Sequence, residues 1–316
     1  MSRLYSFVLP AFKARFLKEA IDSILAQTYT NFELIIVNDA SPEDLDAIVN
    51  SYDDPRIQYY INEKNIGGKA LVEQWNYCIS LANSEYIILA SDDDIYDKDY
   101  LLEMNRLVDK YPEAYVFRPR VQYINNNSEV IDVCGYIPEV SSGIVFLLSL
   151  TRGWISSGVP FYVFKRTALN AIGGFADYPM AWFSDNATVL RLSNNGIISS
   201  NDILFSFRTS GINISSRPNS EHDTINKLNA TVQYYDEFLT YINSSIETSP
   251  LNAAIKRSLM REFPNNMQNS LYFMLQRSSL KCVIKLLPTL IKLPFLTTKR
   301  LLSFYLRLVY KSIFFK

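Results

Sequence analysis

The sequence is poor in the residues that build disulfide frameworks and transition-metal sites. It has three cysteines, Cys78, Cys134 and Cys282, and a single histidine, His222. An odd, scattered set of cysteines argues against a disulfide scaffold and a CxxC metal site, and it favours a reducing compartment. One histidine outside any cluster gives no basis for a histidine-ligated metal, so we assign His222 no metal role.

Long apolar runs are also missing. No stretch reaches the roughly 20 apolar residues that a membrane-spanning helix needs, because charges and prolines interrupt the C-terminal region. The opening MSRLYSFVLPAF lacks a long apolar core and a small-residue cleavage site, so the sequence predicts no signal peptide. With 48% hydrophobic residues, we expect a globular protein in the cytoplasm.

Acidic residues are absent from the last part of the chain. From residue 263 onward there are nine basic and no acidic side chains, whereas residues 1–262 carry 22 basic and 32 acidic ones, a formal charge of −10. From Leu280 the basic residues are interleaved with Leu, Ile, Phe and Tyr. This predicts a basic amphipathic tail over 280–316 that binds an anionic membrane surface. Two amphipathic helices packed on the body are the alternative, and nucleic acid is not an expected partner.

The first hundred residues alternate between strand and helix patterns. Apolar runs without polar alternation predict strands at residues 5–9, 32–37, 57–61 and 86–89. Apolar spacing of i, i+3, i+4, i+7 and i+8 predicts a helix over 17–25, and a second helix is expected over 69–82. This order predicts an α/β fold with a mainly parallel sheet that is covered on both faces. Later helical patterns lie at 187–192, 224–246 and 253–275.

Two common phosphate-binding motifs are missing as well. No Gly-x-Gly-x-x-Gly follows the first predicted strand and no Gly-Lys-Ser/Thr occurs, which argues against a dinucleotide oxidoreductase and a P-loop phosphotransferase. In open α/β sheets, ligands bind beyond the carboxyl ends of the strands. The polar segments there are Asn38-Asp39-Ala40-Ser41 and Ser91-Asp92-Asp93-Asp94.

Three adjacent carboxylates at Asp92, Asp93 and Asp94 repel one another, which a divalent cation would offset. Mg²⁺ or Mn²⁺ held by one or two carboxylates keeps positions open for the oxygens of a diphosphate. Capping of the following helix is the alternative explanation for the acidic run. For Asp39 the alternative is ordinary turn chemistry.

Three segments of the chain resemble family 2 glycosyltransferases of the GT-A fold. They are FVLPAFKARFLKEAIDSILAQTYTNFELIIVNDAS, NIGGKALVEQWNYCISLANSEYIILASDDD and GGFADYPMAWFSDNATVLRL. The resemblance covers most of residues 4–110 and 153–215 and is carried by the order and spacing of the motifs. It implies an inverting, metal-dependent enzyme of bacterial surface-polysaccharide type. The implied donor is a nucleoside diphosphate sugar, with UDP taken from the family, and the acceptor is a hydroxyl of a glycan or lipid-linked oligosaccharide.

The resemblance also implies a donor site. Pro10 and Phe12 would form the wall of the nucleoside pocket, and Asp39 would contact the base. Asn38 stands where the family usually has a first aspartate. In the acidic run, Asp94 would be the direct metal ligand, joined by Asp92. Asp92 or Asp93 would lie nearer the ribose and the sugar.

The base of the reaction is implied at Asp185, which follows the segment Gly173-Gly174-Phe175. Ser184 replaces the usual glutamate beside it. One carboxylate that takes the acceptor proton and one metal that stabilises the leaving diphosphate are sufficient for transfer. A hydrolase would need two carboxyl groups around a glycosidic bond. Capping of a helix that starts near Ala187 is the alternative role for Asp185.

Further residues are candidates with equally ordinary alternatives. Arg208 could neutralise the diphosphate or lie in a surface turn. Lys69 and Asn76 could contact the donor, and a solvated helix face explains Lys69 as well. Trp154 and Trp182 could stack on a sugar ring, although large aromatic residues are more often core.

The motifs divide the chain into four predicted parts. Residues 1–110 form the donor-binding half and 111–223 the acceptor-binding and catalytic half of one GT-A domain. Residues 224–279 form a helical extension and 280–316 the basic tail, which would hold the protein at the inner face of the cell membrane. A nucleotidyltransferase and a catalytically silent nucleotide-sugar-binding protein of the same fold are the alternatives.

Overall fold

The computed structural model describes residues 4–211, 218–244 and 249–297, together with Leu302 and Leu306. The strands of these residues are β1 Tyr5–Ala11, β2 Phe32–Asn38, β3 Ile57–Ile61, β4 Tyr86–Leu89, β5 Ile95–Tyr96, β6 Val116–Ile124, β7 Val130–Val133, β8 Val140–Ser141, β9 Val163–Lys165 and β10 Ile197–Arg208. The α-helices are α1 Leu17–Leu25, α2 Leu45–Val49, α3 Leu71–Ser80, α4 Tyr100–Lys110, α5 Gly143–Thr151, α6 Arg166–Ala171, α7 Ser184–Arg191, α8 Glu221–Ser244, α9 Pro250–Leu275 and α10 Leu280–Leu290.

The chain divides into two compact units. The sheet unit comprises Met1–Asp177 and Ser184–Ser210, and the helical unit comprises Tyr178–Phe183 and Gly211–Lys316. The sheet unit thus contains the segments predicted to bind the donor and to carry the base. The functional division at residues 110, 223 and 279 stays a prediction.

One sheet runs through the sheet unit in the order β3-β2-β1-β4-β9-β6-β10-β5, with β7 paired to β6 and β8 paired to β10. Strands β3, β2, β1 and β4 are parallel to one another. The α/β fold with a mainly parallel N-terminal sheet is therefore confirmed. The apolar run of β1 is covered on both faces, since Phe7, Val8 and Leu9 are all fully buried.

The register of the parallel strands fixes where their polar ends lie. Ala11 at the end of β1 is paired with Asn38 at the end of β2, and Val8 is paired with Leu89 of β4. The residues that follow these three strands consequently gather at one edge of the sheet. The segments predicted to bind the donor therefore lie at that edge.

Helix α1 illustrates how apolar spacing sets the packing. Leu17, Ala20, Ile21 and Ile24 form its buried face, as the periodicity predicts.

Helix α7 differs from the prediction, because it begins at Ser184 instead of near Ala187. Asp185 therefore lies inside the first helical turn and not before a helix starting near Ala187. Its carboxylate accepts hydrogen bonds from the backbone N–H groups of Asn186 and of Asp185 itself, as the capping alternative expects for a carboxylate at a helix start.

Strand β10 brings a distant part of the chain back to the acidic segment. Its twelve residues pair with β6 in parallel and with β5 and β8 in antiparallel orientation. Phe205 is opposite Tyr96 and Ser206 is opposite Ile95. Because β5 directly follows the acidic run, this pairing carries the end of β10 to the carboxylates.

The helical unit is built around aromatic contacts among its long helices. The rings of Phe238 in α8 and Phe263 in α9 are stacked, and Tyr235 contacts Phe295 beyond α10. Helix α10 buries one face, formed by Cys282, Val283, Leu286 and Leu290. The described start of the basic tail is thus packed within its own unit, as in the alternative interpretation. Most of residues 298–316 lie outside the described residues.

Among the helices that the structure describes, none combines the length and apolarity needed to cross a membrane.

Candidate active site

The acidic turn, residues 91–94, lies between β4 and β5 and is tied to the end of β1. Asp92 Oδ2 accepts hydrogen bonds from the backbone N–H groups of Phe12 at 3.0 Å and Lys13 at 2.8 Å. These bonds exist because β1 and β4 are parallel neighbours whose carboxyl ends lie side by side. Two backbone donors hold the Asp92 carboxylate in one orientation next to the predicted nucleoside pocket.

Lys13 is a site residue that the sequence analysis did not find. Its Nζ lies 3.1 Å from Asp92 Oδ1 and 3.0 Å from Asp93 Oδ2. Burial lowers the pKa of Lys13, but the attraction of the two carboxylates is the stronger effect in sum and raises this pKa above its ordinary value. A basic residue after one parallel strand and acidic residues after its neighbour are the signal that could have predicted this pairing.

Asp94 is the most buried carboxylate of the turn, with no exposed surface. Its Oδ1 accepts a hydrogen bond from the backbone N–H of Arg208 at 2.8 Å. Its Oδ2 is buried and has no hydrogen-bond partner in the part of the chain that the structure describes. Burial and the neighbouring charge of Asp93 raise the pKa of Asp94 well above its ordinary value. A buried carboxylate oxygen without a donor is costly unless a cation or a proton satisfies it.

Arg208 is fully buried and its guanidinium bonds to protein groups on several sides. Its Nε donates to the Asp93 carbonyl at 2.8 Å, and its Nη2 donates to Glu19 Oε2 at 2.7 Å. Its Nη1 donates to Ser128 Oγ and to the Asn125 carbonyl, both at 3.1 Å. The interpretation of Arg208 as a surface-turn residue is therefore wrong.

The guanidinium group of Arg208 is engaged mainly by the protein. It has five N–H groups, and its four described hydrogen bonds all go to protein oxygens. The ring of Phe16 covers the guanidinium carbon at 4.1 Å from the ring centroid. Arg208 thus holds the acidic turn in place. Neutralisation of a diphosphate by Arg208 stays a prediction.

The chemistry of the acidic turn fits a hard divalent cation. Asp94 offers a buried oxygen without a donor, and Asp92 is fixed beside it. Within the described ranges, no group of three or more His, Cys, Asp or Glu side chains is arranged as a complete metal site. Mg²⁺ commonly takes one or two protein carboxylates and completes its shell with water and phosphate oxygens.

Asp39 organises the loop that follows β3. Its Oδ1 accepts from Asn62 Nδ2 at 2.7 Å and Ile66 N at 2.9 Å. Its Oδ2 accepts from Gly67 N at 2.7 Å and Asn65 Nδ2 at 3.0 Å. Four donors occupy the carboxylate, so the described bonds of Asp39 shape the pocket edge. Contact of Asp39 with a nucleoside base stays a prediction.

The other residues predicted to contact the donor differ in their exposure to solvent. Phe12, 41% exposed, is available to a ligand, whereas Pro10 is half-buried in β1. Lys69 is exposed just before α3. Asn76 faces another partner, because its Oδ1 accepts from the backbone N–H of Phe175 at 2.9 Å. Contact of Asn76 with the donor stays a prediction.

The segment Gly173-Gly174-Phe175 needs glycine at its centre. Gly174 has φ +90°, and a Cβ there would lie 2.4 Å from Asn76 Oδ1. One residue further on, Ala176 N donates to Thr188 Oγ1 of α7 at 2.9 Å. The segment therefore connects α3 to the helix that carries Asp185.

Asp185 belongs to a polar network separate from the acidic turn. A hydrogen bond with Ser157 lowers the pKa of this half-buried carboxylate, but burial is the larger effect and raises it above the ordinary value. Ser157 Oγ also lies 2.8 Å from the hydroxyl of Tyr162, whose pKa burial raises to about 12. A carboxylate with a raised pKa is a better proton acceptor than an ordinary aspartate. Sequence spacing gave no sign of Ser157.

The two tryptophan candidates and the single histidine lie outside the acidic turn. Trp154 is 51% exposed and so is not a core residue. Trp182 belongs to the helical unit, where the ammonium group of Lys227 lies 4.7 Å from the centroid of its ring. The exposed His222 bonds to Asn226. The structure thus joins Phe12, the acidic turn and Arg208 in one cluster.

Comparison with known proteins gives a family match for the N-terminal part of the sheet unit. The sequence model described as Glycosyl transferase family 2 matches residues 6–142, a range that contains the Asp39 loop and the acidic turn. Residues 6–142 of this chain are therefore similar to glycosyltransferase family 2. Asp185 lies beyond the matched range.

Curated relatives agree with this family over part of their length. An uncharacterized glycosyltransferase of Rickettsia typhi is 35% identical over 149 residues, which cover 46% of this chain and 41% of the relative. The glycosyltransferase GlyG of Streptococcus pneumoniae is 35% identical over 104 residues, 32% of this chain and 34% of the relative. The putative colanic acid biosynthesis glycosyl transferase WcaA of Escherichia coli is 42% identical over 94 residues, 29% of this chain and 33% of the relative. The matches span less than half of each relative.

Solved structures extend the likeness of fold to nearly the whole chain. Residues 1–349 of S. aureus TarS, in complex with UDP-GlcNAc, give a TM-score of 0.63 at 16% identity, covering 99% of this chain and 92% of that one. The mannosyltransferase PcManGT from Pyrobaculum calidifontis, in complex with GDP-Man and Mn²⁺, gives 0.50 at 14% identity, covering 99% and 88%. These likenesses establish the GT-A fold.

Proposed function

We propose that this protein is an inverting, metal-dependent glycosyltransferase. It moves a sugar from a nucleoside diphosphate donor, UDP-sugar in the first instance, to a hydroxyl of a glycan or lipid-linked oligosaccharide. The observation that carries the proposal is the buried Oδ2 of Asp94, which has no donor among the described residues and lies in an acidic turn at the carboxyl edge of the parallel sheet. This is the place where α/β sheets bind ligands, and the oxygen is of the kind that a hard cation requires.

The metal is Mn²⁺ or Mg²⁺, held by Asp94 with Asp92 beside it. When bound, the cation stabilises the negative charge of the departing diphosphate. Support comes from the PcManGT structure, which is described as a complex with GDP-Man and Mn²⁺. Lys13, already 3.0 Å from Asp93 and 3.1 Å from Asp92, supplies a second positive charge that can turn to a phosphate when a cation takes its place on the carboxylates.

The nucleoside lies between Phe12 and the Asp39 loop. Phe12 offers an exposed ring for the base, next to Pro10. Asp39 positions the backbone of residues 65–67 and so shapes the facing wall. The choice of uridine rests on the family and on TarS, whose structure is described with UDP-GlcNAc. Lys69 is exposed nearby in sequence and is the candidate for an outer phosphate contact.

Asp185 serves as the base in a single displacement. The acceptor oxygen forms a bond to the anomeric carbon while the bond from that carbon to the diphosphate oxygen breaks. The acceptor proton passes to the Asp185 carboxylate, and the electron pair of the broken bond leaves on the diphosphate. The raised pKa of Asp185 favours this transfer, and Ser157 orients the carboxylate.

The acceptor belongs to a cell-surface polysaccharide in this proposal. Its support is the likeness to WcaA, whose name refers to colanic acid biosynthesis. We further propose that the basic tail associates with the inner face of the membrane, where a lipid-linked acceptor would be found. The acid-free composition after residue 262 supports this association, as do the exposed Ile284 and Ile291 of the tail.

The donor site is tested by calorimetric titration of nucleoside diphosphates into the full chain, with and without Mn²⁺. We expect one nucleotide to bind only when Mn²⁺ is present, and Asp94→Asn to weaken this binding at least tenfold. The matched control is Asp53→Asn, which neutralises an exposed aspartate. Equal binding by the wild type and Asp94→Asn would contradict the metal assignment, and no nucleotide binding at all would favour a decayed donor site.

The tail is tested separately with a chain that ends at Thr297. This truncation keeps the packed helix α10 and removes Lys299, Arg300, Arg307, Lys311 and Lys316. We expect it to lose binding to phosphatidylserine vesicles at physiological salt while nucleotide binding is unchanged. Retained vesicle binding would contradict the membrane proposal.

A further inference from the structure

Two large aromatic side chains of the sheet unit are exposed on two segments whose backbones approach each other. Tyr136 is 68% exposed and Trp154 is 51% exposed. Aromatic side chains normally contribute by burying their large apolar area, so two exposed rings on neighbouring segments indicate a surface that binds a ligand. The described contacts of the acidic turn do not use either residue.

A close backbone approach holds the two residues together. Gly135 N donates to the carbonyl oxygen of Trp154 at 2.8 Å. A Cβ on Gly135 would lie 2.7 Å from that same oxygen, so a larger residue could not allow the approach. Because Tyr136 follows Gly135 directly, the hydrogen bond brings the backbone of Tyr136 close to that of Trp154. The two segments that carry the rings are thus held together by the backbone.

Each ring is accompanied by an arginine. The guanidinium carbon of Arg120 lies 3.8 Å from the centroid of the Tyr136 ring, and Arg120 Nε donates to the Cys134 carbonyl at 2.7 Å. The guanidinium carbon of Arg152 lies 5.0 Å from the Trp154 ring centroid. The pair therefore combines apolar ring faces with N–H donors at their edges.

The surface is connected to Asp185 by a short stretch of chain. Three residues after Trp154 comes Ser157, whose hydroxyl bonds to the Asp185 carboxylate. A chain of three residues spans at most about 11 Å. Sugar rings match the chemistry of the pair, because a pyranose has an apolar C–H face that stacks on aromatic rings and hydroxyl edges that accept hydrogen bonds from guanidinium groups.

We propose that Tyr136 and Trp154 form the subsite for the acceptor saccharide, with one of its sugar rings stacked on the pair and a hydroxyl directed toward Asp185. This inference rests on the proposed function, since it assigns the substrate that the Asp185 carboxylate would deprotonate. Arg120 and Arg152 bond to the hydroxyl edges of the same saccharide. The subsite is distinct from the acidic turn that binds the donor.

The test is saturation-transfer NMR on the full chain with UDP and Mn²⁺ present. The probes are the methyl glycosides of glucose, galactose, mannose, rhamnose and N-acetylglucosamine. We expect at least one glycoside to bind the wild type, and Trp154→Ala and Tyr136→Ala each to weaken its binding on the order of tenfold. Trp154→Phe keeps an aromatic face and should retain most of the binding.

The matched control is Phe273→Ala. Phe273 is also an exposed ring, 45% accessible, with the guanidinium carbon of Arg277 3.6 Å from its centroid, but it lies in the helical unit. We expect this variant to bind glycoside as the wild type does, and all variants to bind UDP with Mn²⁺ unchanged. Glycoside binding that survives Trp154→Ala overturns the subsite, as does a wild type that binds UDP but no glycoside. A wild type that binds no nucleoside diphosphate in the calorimetric titration would instead refute the proposed function on which the subsite rests.

Discussion

The backbone N–H of Arg208 donates to Asp94 Oδ1 across 114 residues of sequence. The same residue uses its side chain to hold the Asp93 carbonyl and the Glu19 carboxylate. One residue at the end of β10 therefore fixes two members of the acidic turn and connects them to α1.

Replacing Arg208 by methionine should destabilise the protein substantially. The change removes the arginine donor of the Asp93 carbonyl and one of the two donors of the Asn125 carbonyl, which keeps the Ser128 N–H. A buried group left unsatisfied costs about 1–3 kcal/mol. We expect the free energy of unfolding in urea to fall by about 2–4 kcal/mol. In Arg106→Met, which removes a half-exposed arginine paired with Glu103, the fall should be no more than about 1 kcal/mol. An equal fall in the free energy of unfolding of the two variants would contradict the role of Arg208 in holding the acidic turn.

Replacing Lys13 by methionine should strengthen the binding of Mn²⁺ in the absence of nucleotide. The ammonium group sits on the two carboxylates that a cation would approach, so its removal leaves their charge uncompensated. We expect the dissociation constant for Mn²⁺, measured by electron paramagnetic resonance, to fall at least about threefold. The exposed Lys18, which pairs with Asp22 on α1, offers the control Lys18→Met, expected to leave Mn²⁺ binding unchanged. Weaker Mn²⁺ binding in Lys13→Met would show that Lys13 supports the metal site instead of competing for it.

The dependence of transfer on pH should report the Asp185 carboxyl group. A protonated carboxyl cannot accept the acceptor proton, so kcat/KM should fall as pH decreases through the pKa of Asp185. Because burial raises that pKa, the acidic limb should lie above the usual range of an aspartate. In Ser157→Ala the hydrogen bond that lowers the pKa is lost, and the limb should move to higher pH. A limb that stays in place in Ser157→Ala, or that persists in Asp185→Asn, would assign the titration to another group.

Alanine substitutions at two neighbouring glycines should distinguish the cost of backbone strain from the cost of steric overlap. Gly173 and Gly174 have φ angles of +83° and +90°, so alanine is strained at both positions. A Cβ at Gly173 meets nothing within 4 Å, whereas one at Gly174 would lie 2.4 Å from Asn76 Oδ1. We expect Gly173→Ala to lower the free energy of unfolding by about 1 kcal/mol and Gly174→Ala by about 2 kcal/mol or more. Equal thermal unfolding of the two variants would mean that Asn76 moves aside without cost.

The sequence predicted the parallel half of the fold well because its signals are local. Residues 57–61 and 86–89 were predicted as strands and are strands with those bounds, since an apolar run between turns leaves little choice. The polar residues after β2 and β4 could be recognised for the same reason. Helix α7 was predicted to start three residues too late, because Ser184, Asp185 and Asn186 are polar and do not extend the apolar pattern.

The parts that sequence patterns missed depend on contacts between distant segments. Lys13 reaches Asp92 only through the pairing of β1 with β4, and Ser157 reaches Asp185 only through the packing of a loop. The burial of Arg208 follows from the register of β10, which no local period encodes. For Trp154 the sequence leaves sugar stacking and a core position open, and its exposure is a property of the folded loop.

The bond between Arg208 and Asp94 also sets an order of events during synthesis. A ribosome that adds about 5–20 residues per second needs roughly 6–23 s to pass from Asp94 to Arg208. Throughout that interval the emerging acidic run can meet Lys13 but not the arginine that completes its surroundings. A nascent chain thus contains all three aspartates well before it can hold them in their final arrangement.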